Sequence, residues 1–140
     1  MTDSFDLQRF LDAQSPVYPR VIDELRRGRK QGHWTWFVVP QIAGLGHSAM
    51  AQRYAISSRA EAAAYLGHAV LGPRLCECTA LVNAVEGQTI REILGSPDDL
   101  KFHSSMTLFA VVSSNPEFAA AIGKFYAGTP DRNTLELLGR

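Results

Sequence analysis

The chain has 140 residues, 46% of them apolar and 20% charged, and its fourteen basic and fourteen acidic side chains cancel. A domain of this size buries roughly two thirds of the surface its unfolded chain would expose, so it needs neither a metal nor a disulfide scaffold. Balanced charge leaves no electrostatic footprint for nucleic acid or an anionic membrane. Together with the absence of a long apolar run and the lack of a basic and apolar leader in MTDSFDL, it predicts one cytoplasmic domain over residues 1–140 without nucleic-acid or membrane partners.

In chain order, apolar spacing and helix punctuation predict helices near 5–13, 16–28, 48–55, 58–67, 70–86, 89–94, 97–113, 116–127 and 130–138. Ser15-Pro16, Ser96-Pro97, Asn115-Pro116 and Thr129-Pro130 each set a capping side chain before proline. Proline's missing N–H costs nothing in a first helical turn, so Pro16, Pro97, Pro116 and Pro130 are expected there. Ser58 and Glu61 have capping-box spacing, and Gly67, Gly87, Gly95 and Gly128 read as stops. Steps of three and four join Val17, Val21 and Leu25 in one stripe, and Leu71, Leu75, Cys78, Val82 and Val85 in another. Cys76 and Cys78 would point about 200° apart on that second helix, too far round to share a metal from one face, and are expected as reduced, buried thiols. WTWFVVPQI alone has strand-like composition, and Pro40 confines it to an edge. The fold class is all-α, a compact domain of seven to nine helices.

The blocks LQRFLDAQSPVYPRVIDELRRGRKQGHWTWFVVPQIAGLG, AQRYAISSRAEAAAYLGHAVLGPRL and GSPDDLKFHSSMTLF resemble the DUF1810 family of uncharacterised bacterial proteins, over residues 7–139. The resemblance implies a mainly α-helical domain of unusual topology and no defined activity. Some members carry the label calpastatin, but such inhibitors are charge-rich and disordered, whereas this chain has the composition of a packed core.

Three regions hold candidate site residues. Arg26, Arg27, Arg29 and Lys30 close the second helix, where cations complement the carbonyl end of the dipole, and His33, Trp34 and Trp36 follow at once. Cations beside aromatic faces suit a phosphorylated ligand, the charge for phosphate and a ring for stacking; the plainer alternative is a solvated helix end. Gln41, with Gly44, Gly46, His47 and Ser48, forms a loop entering a helix, either an anion-binding turn or an ordinary cap.

The third region is the helix SPDDLKFHSSMTLFAVV, apolar nearly all round and so expected to run through the centre. Its polar residues Asp98, Lys101, Ser104 and Ser105 share a narrow stripe, and Asp99 and His103 form an i,i+4 acid–imidazole pair. Such a stripe must be hydrogen-bonded inside or open to water. His33, His47, His68 and His103 show no metal-ligand spacing, and no nucleophile signature occurs. No cofactor or metal is expected, and no reaction is assigned.

The best reading is a small-molecule binding protein or enzyme for a phosphorylated or nucleotide-like ligand. One cleft would be built from Lys30, His33, Trp36, Gln41, Lys101, Ser104 and Ser105, with Phe37 and one Trp buried behind it. The alternative is a non-catalytic protein-interaction module with an exposed Trp.

Overall fold

The structure, a computed structural model, describes residues 3–139. It has ten helices among them: α1 (Gln8–Gln14), α2 (Tyr18–Arg26), α3 (Thr35–Val38), α4 (Ala49–Arg53), α5 (Arg59–Gly67), α6 (Leu71–Asn83), α7 (Ile90–Leu94), α8 (Asp98–Val112), α9 (Pro116–Phe125) and α10 (Arg132–Leu138). Nine fall within or one residue beyond the intervals expected from the sequence, and the tenth is α3, which corrects the strand-like reading of WTWFVVPQI. Val38 and Val39 N–H groups reach back to the carbonyls of Trp34 and Thr35 at 3.1 Å. A strand would have turned alternate side chains to opposite faces. One helical turn lets Trp34, Phe37, Val38 and Val39 all be buried, and proline 40 ends it. Extended pairing among the described residues is limited to a single parallel bridge between Ile42 and Ile56.

The punctuation holds in part. Ser58 caps α5 by accepting from Glu61 N–H at 3.1 Å, and Asn115 caps α9 with Pro116 in its first position. The other three prolines stand just outside the first turn, which corrects that expectation. Pro16 lies in the turn before α2, whose second residue is Pro19; Pro97 occupies the cap position of α8; and Pro130 precedes Asp131, which caps α10. Asp131 displaces Thr129 as the cap because its carboxylate takes both the backbone N–H and the hydroxyl of Thr134, at 3.1 and 2.6 Å.

At the centre lies α8. Phe102, Met106, Leu108 and Phe109 have essentially no exposure, and the helix packs against α3, α5, α7, α9 and α10. Full burial of side chains of this size stabilises by about 1.5–3 kcal/mol each relative to exposure, so α8 contributes strongly to the core. The expected stripes face inward, with Val21 and Leu25 on α2 and Leu71, Leu75, Cys78 and Val82 on α6. Where α5 turns into α6 the backbones nearly touch, because a Cβ on Gly72 would lie 2.0 Å from the Leu66 carbonyl oxygen. On the far side Arg9 clamps α1 to the α4–α5 connection. It pairs with Glu61 at 2.9 Å and donates to the carbonyls of Phe5, Asp6, Arg53 and Ala55. No helix among the described residues is long and apolar enough to cross a membrane.

Candidate functional site

The basic-aromatic block folds as a bracket around two carboxylates. Glu24 Oε1, near the end of α2, accepts from the backbone N–H groups of Gln31 and Gly32 and from the Trp34 indole at 2.8, 2.9 and 3.0 Å. Burial raises the Glu24 pKa, but these donors and the Lys30 charge outweigh it and leave the carboxyl below its ordinary value. Lys30, whose side chain is only 5% exposed, reaches Asp98 Oδ2 at 2.7 Å in the first turn of α8. It also donates to the Gly32 carbonyl and lies over the Trp34 ring, 5.0 Å from its centroid. Lys101, one turn along α8, approaches the other oxygen of Asp98 at 3.6 Å and stands 4.4 Å above the Trp36 ring. Burial raises the Asp98 pKa too, and the Lys30 hydrogen bond and charge, aided by Lys101, bring it below normal. Two ammonium groups thus share the Asp98 carboxylate, and with Glu24 the bracket sets two cations against two anions.

Lys101 lines one side of an open cleft of about 430 Å³, within the range of small-molecule sites. Its floor is the polar stripe of α8, one wall is the loop after α3 with Gln41, Leu45 and Gly46, and the other is the start of α10 with Asp131 and Asn133. Pro97 and Leu100 form an apolar lip. Asp131 is fixed by four contacts: Ser104 Oγ donates to its Oδ2 at 3.2 Å, Thr134 supplies two more donors, and its own N–H donates to Thr107 Oγ1 at 2.8 Å. The His103 imidazole is equally held. It stacks on Tyr126 with centroids 3.9 Å apart and planes within 6°, and its Nε2 lies 2.6 Å from the Thr129 carbonyl oxygen. Tyr126 in turn donates its hydroxyl to the Asp99 carbonyl at 2.5 Å. Burial drives the Tyr126 phenol pKa far above normal, so that hydroxyl remains a donor.

Of the seven residues expected to build one cleft, Gln41, Lys101 and Ser104 line it, and Gly46 and His103 from the same regions join them. Trp36 is half-buried beside it under Lys101. Lys30 is joined to the same charge cluster through Asp98 but lies in the interior behind it, its direction set by that carboxylate and by the Gly32 carbonyl. Ser105 points inward, fully buried, with no hydrogen-bond partner for its Oγ. His33 is exposed and is not among the cleft residues. Trp34 is the core tryptophan, 3% exposed, with Phe37 buried beside it as expected. The Asp99–His103 pair does not form: Tyr126 stacks on the imidazole and Thr129 takes its nitrogen, while Asp99 Oδ1 is buried without a partner. Ser48 caps α4 by accepting from Ala51 N–H, so GLGHS ends in an ordinary cap.

Sequence reasoning missed Asp131 and Asn133 as cleft residues. Their only signal was local, an acid after proline at a helix start, and nothing in the spacing of residues 27 apart links Ser104 to Asp131. Cys76 and Cys78 are free thiols. No group of three or more His, Cys, Asp or Glu among the described residues could hold a metal ion.

A family model described as protein of unknown function (DUF1810) matches residues 4–138. A search of curated proteins gives no match. Among solved structures, the chain is similar to the conserved hypothetical protein Rv1873 from Mycobacterium tuberculosis, determined by crystallography at 1.38 Å. The two share 59% identity over 99% of each chain, with a TM-score of 0.97.

Proposed function

We propose, for a chain that belongs to the DUF1810 family and so starts from no assigned ligand, that the cleft between α8, the loop after α3 and the start of α10 binds a small phosphorylated molecule. The observation that carries this reading is the unequal ion cluster: Lys30 and Lys101 share Asp98, and Lys101, the member that lines the cleft, has the longer and weaker contact. A phosphate at the mouth would complete the pairing of Lys101 with a charge-assisted hydrogen bond. The protein-interaction alternative needs an exposed aromatic patch, and both tryptophans speak against it, one buried and the other half-buried under an ammonium group.

The test is thermal unfolding with inorganic phosphate and a panel of phosphorylated metabolites, on the wild type and on Lys101→Met. A ligand at one hundred times its dissociation constant adds about 2.7 kcal/mol to the native state. Lys101→Met should fold normally, because Asp98 keeps Lys30, and should lose the ligand-dependent shift. A panel that leaves the wild type unmoved at millimolar concentration rejects the reading.

A further inference from the structure

We infer that the ligand of this cleft is a phosphorylated sugar or polyol, held by its hydroxyls, rather than a nucleotide held by its base. The inference rests on the phosphate reading above and concerns the rest of the same molecule. Charge is segregated along α8. The Lys101 ammonium turns back toward Asp98, whereas Asp131 sits beside Ser104 and Thr107. Asp98 and Ser104 are six steps apart on α8, which is roughly 9 Å of helix at 1.5 Å per residue. A ligand lying along that axis would have its anion at one end and neutral hydrogen-bonding groups at the other.

The remaining polar groups of the lining are those that recognise hydroxyls. Asp131 uses Oδ2 for Ser104 and Thr134, while its Oδ1 makes no hydrogen bond among the described residues. The side-chain amides of Gln41 and Asn133 are likewise uncommitted among the described residues, and both line the cleft. With Nε2 donating to the Thr129 carbonyl, the His103 ring keeps Nδ1 without a hydrogen bond among the described residues, and the Tyr126 stack prevents the ring from turning away. A free carboxylate oxygen, an imidazole nitrogen and two amides together offer acceptors and donors for adjacent hydroxyls. Leu45 and Leu100, the latter 61% exposed, supply apolar surface for the carbon face of a sugar. What the lining lacks is a platform for a base: it contains no Phe, Tyr or Trp, the Trp36 ring is covered by Lys101, and one face of His103 is taken by Tyr126.

Titration calorimetry with inorganic phosphate, ribose, ribose 5-phosphate and adenosine 5′-monophosphate separates the possibilities. The expected result is that ribose 5-phosphate binds at least tenfold more tightly than phosphate, and that the adenine adds less than threefold. His103→Phe, which keeps a ring on Tyr126, and Asn133→Ala, which removes an exposed side chain with no partner, should each weaken ribose 5-phosphate at least threefold and leave phosphate unchanged. Lys101→Met should abolish both. Equal binding of phosphate and ribose 5-phosphate overturns the hydroxyl inference while the phosphate site stands. Adenosine 5′-monophosphate binding tenfold more tightly than ribose 5-phosphate overturns it in favour of a nucleotide site. If no phosphorylated probe binds, the phosphate reading fails and the inference falls with it.

Discussion

Lys30 Nζ lies 2.7 Å from Asp98 Oδ2, while Lys101 Nζ lies 3.6 Å from Oδ1 of the same carboxylate. The nearer lysine is almost wholly enclosed and the farther one faces the cleft, so one carboxylate serves as an internal tie and as the anchor of an accessible cation.

That asymmetry sets an order for two substitutions. Lys30→Met leaves a partly buried carboxylate with only the distant Lys101, and should cost about 2–4 kcal/mol in urea unfolding. Lys101→Met removes a longer, wetter contact and should cost less than about 1 kcal/mol. The reverse order would show that Lys101 is the structural member.

Acid should unfold the protein through the same bracket. Folded Asp98 and Glu24 have pKa values below their ordinary 3.8 and 4.5, so in acid the unfolded chain binds more protons than the native one. Their stabilisation is complete above those ordinary values and is lost as pH falls through the lower folded ones. The urea midpoint should therefore hold from pH 7 to about 5 and decline below about 4.5. Asp98→Asn should start lower at neutral pH and decline less steeply; a parallel curve would contradict the assignment.

Gly72→Ala should be strongly destabilising, by about 3 kcal/mol or more, since the added methyl would meet a backbone carbonyl at 2.0 Å that no rotamer change relieves. Gly67→Ala is the control. Its Cβ would meet nothing within 4 Å, and thermal unfolding should show a change within about 1 kcal/mol, in either direction.

Alkylation should distinguish the two cysteines. Burial pushes the Cys78 thiol up to about 12, and Cys76 is raised by the same cause but is only half-buried. Native protein treated with iodoacetamide at pH 8 should take up at most one adduct, slowly and at Cys76, with the second appearing only in urea. Rapid double labelling measured by mass spectrometry would refute this burial.

The all-helical class was legible because local signals decide it. Ser58, Asn115 and the glycines mark boundaries through backbone hydrogen bonds made within a few residues, and the α2 and α6 stripes need only the helical period. WTWFVVPQI misled because its β-branched and aromatic residues follow from burial on every side rather than from pleating. At the site, Lys101 and Ser104 could be singled out because polar side chains on an otherwise apolar helix demand partners. Which partners they find was not legible. The tie from Ser104 to Asp131 and the stack of His103 on Tyr126 span more than twenty residues, and nothing near Asp99 tells that its neighbour's ring will turn to α9 instead.

The central position of α8 also constrains how the chain is made. Residues 98–112 are synthesised after α3, α5 and α7, yet those helices pack against α8. A ribosome-bound chain that has not yet extruded this segment must hold the inner faces of the earlier helices without their shared partner, so the native fold closes late and nearly at once. Stalling translation before Asp98 should yield a nascent chain whose emerged part is readily cut by protease, and stalling it with α10 outside the exit tunnel should yield a resistant one.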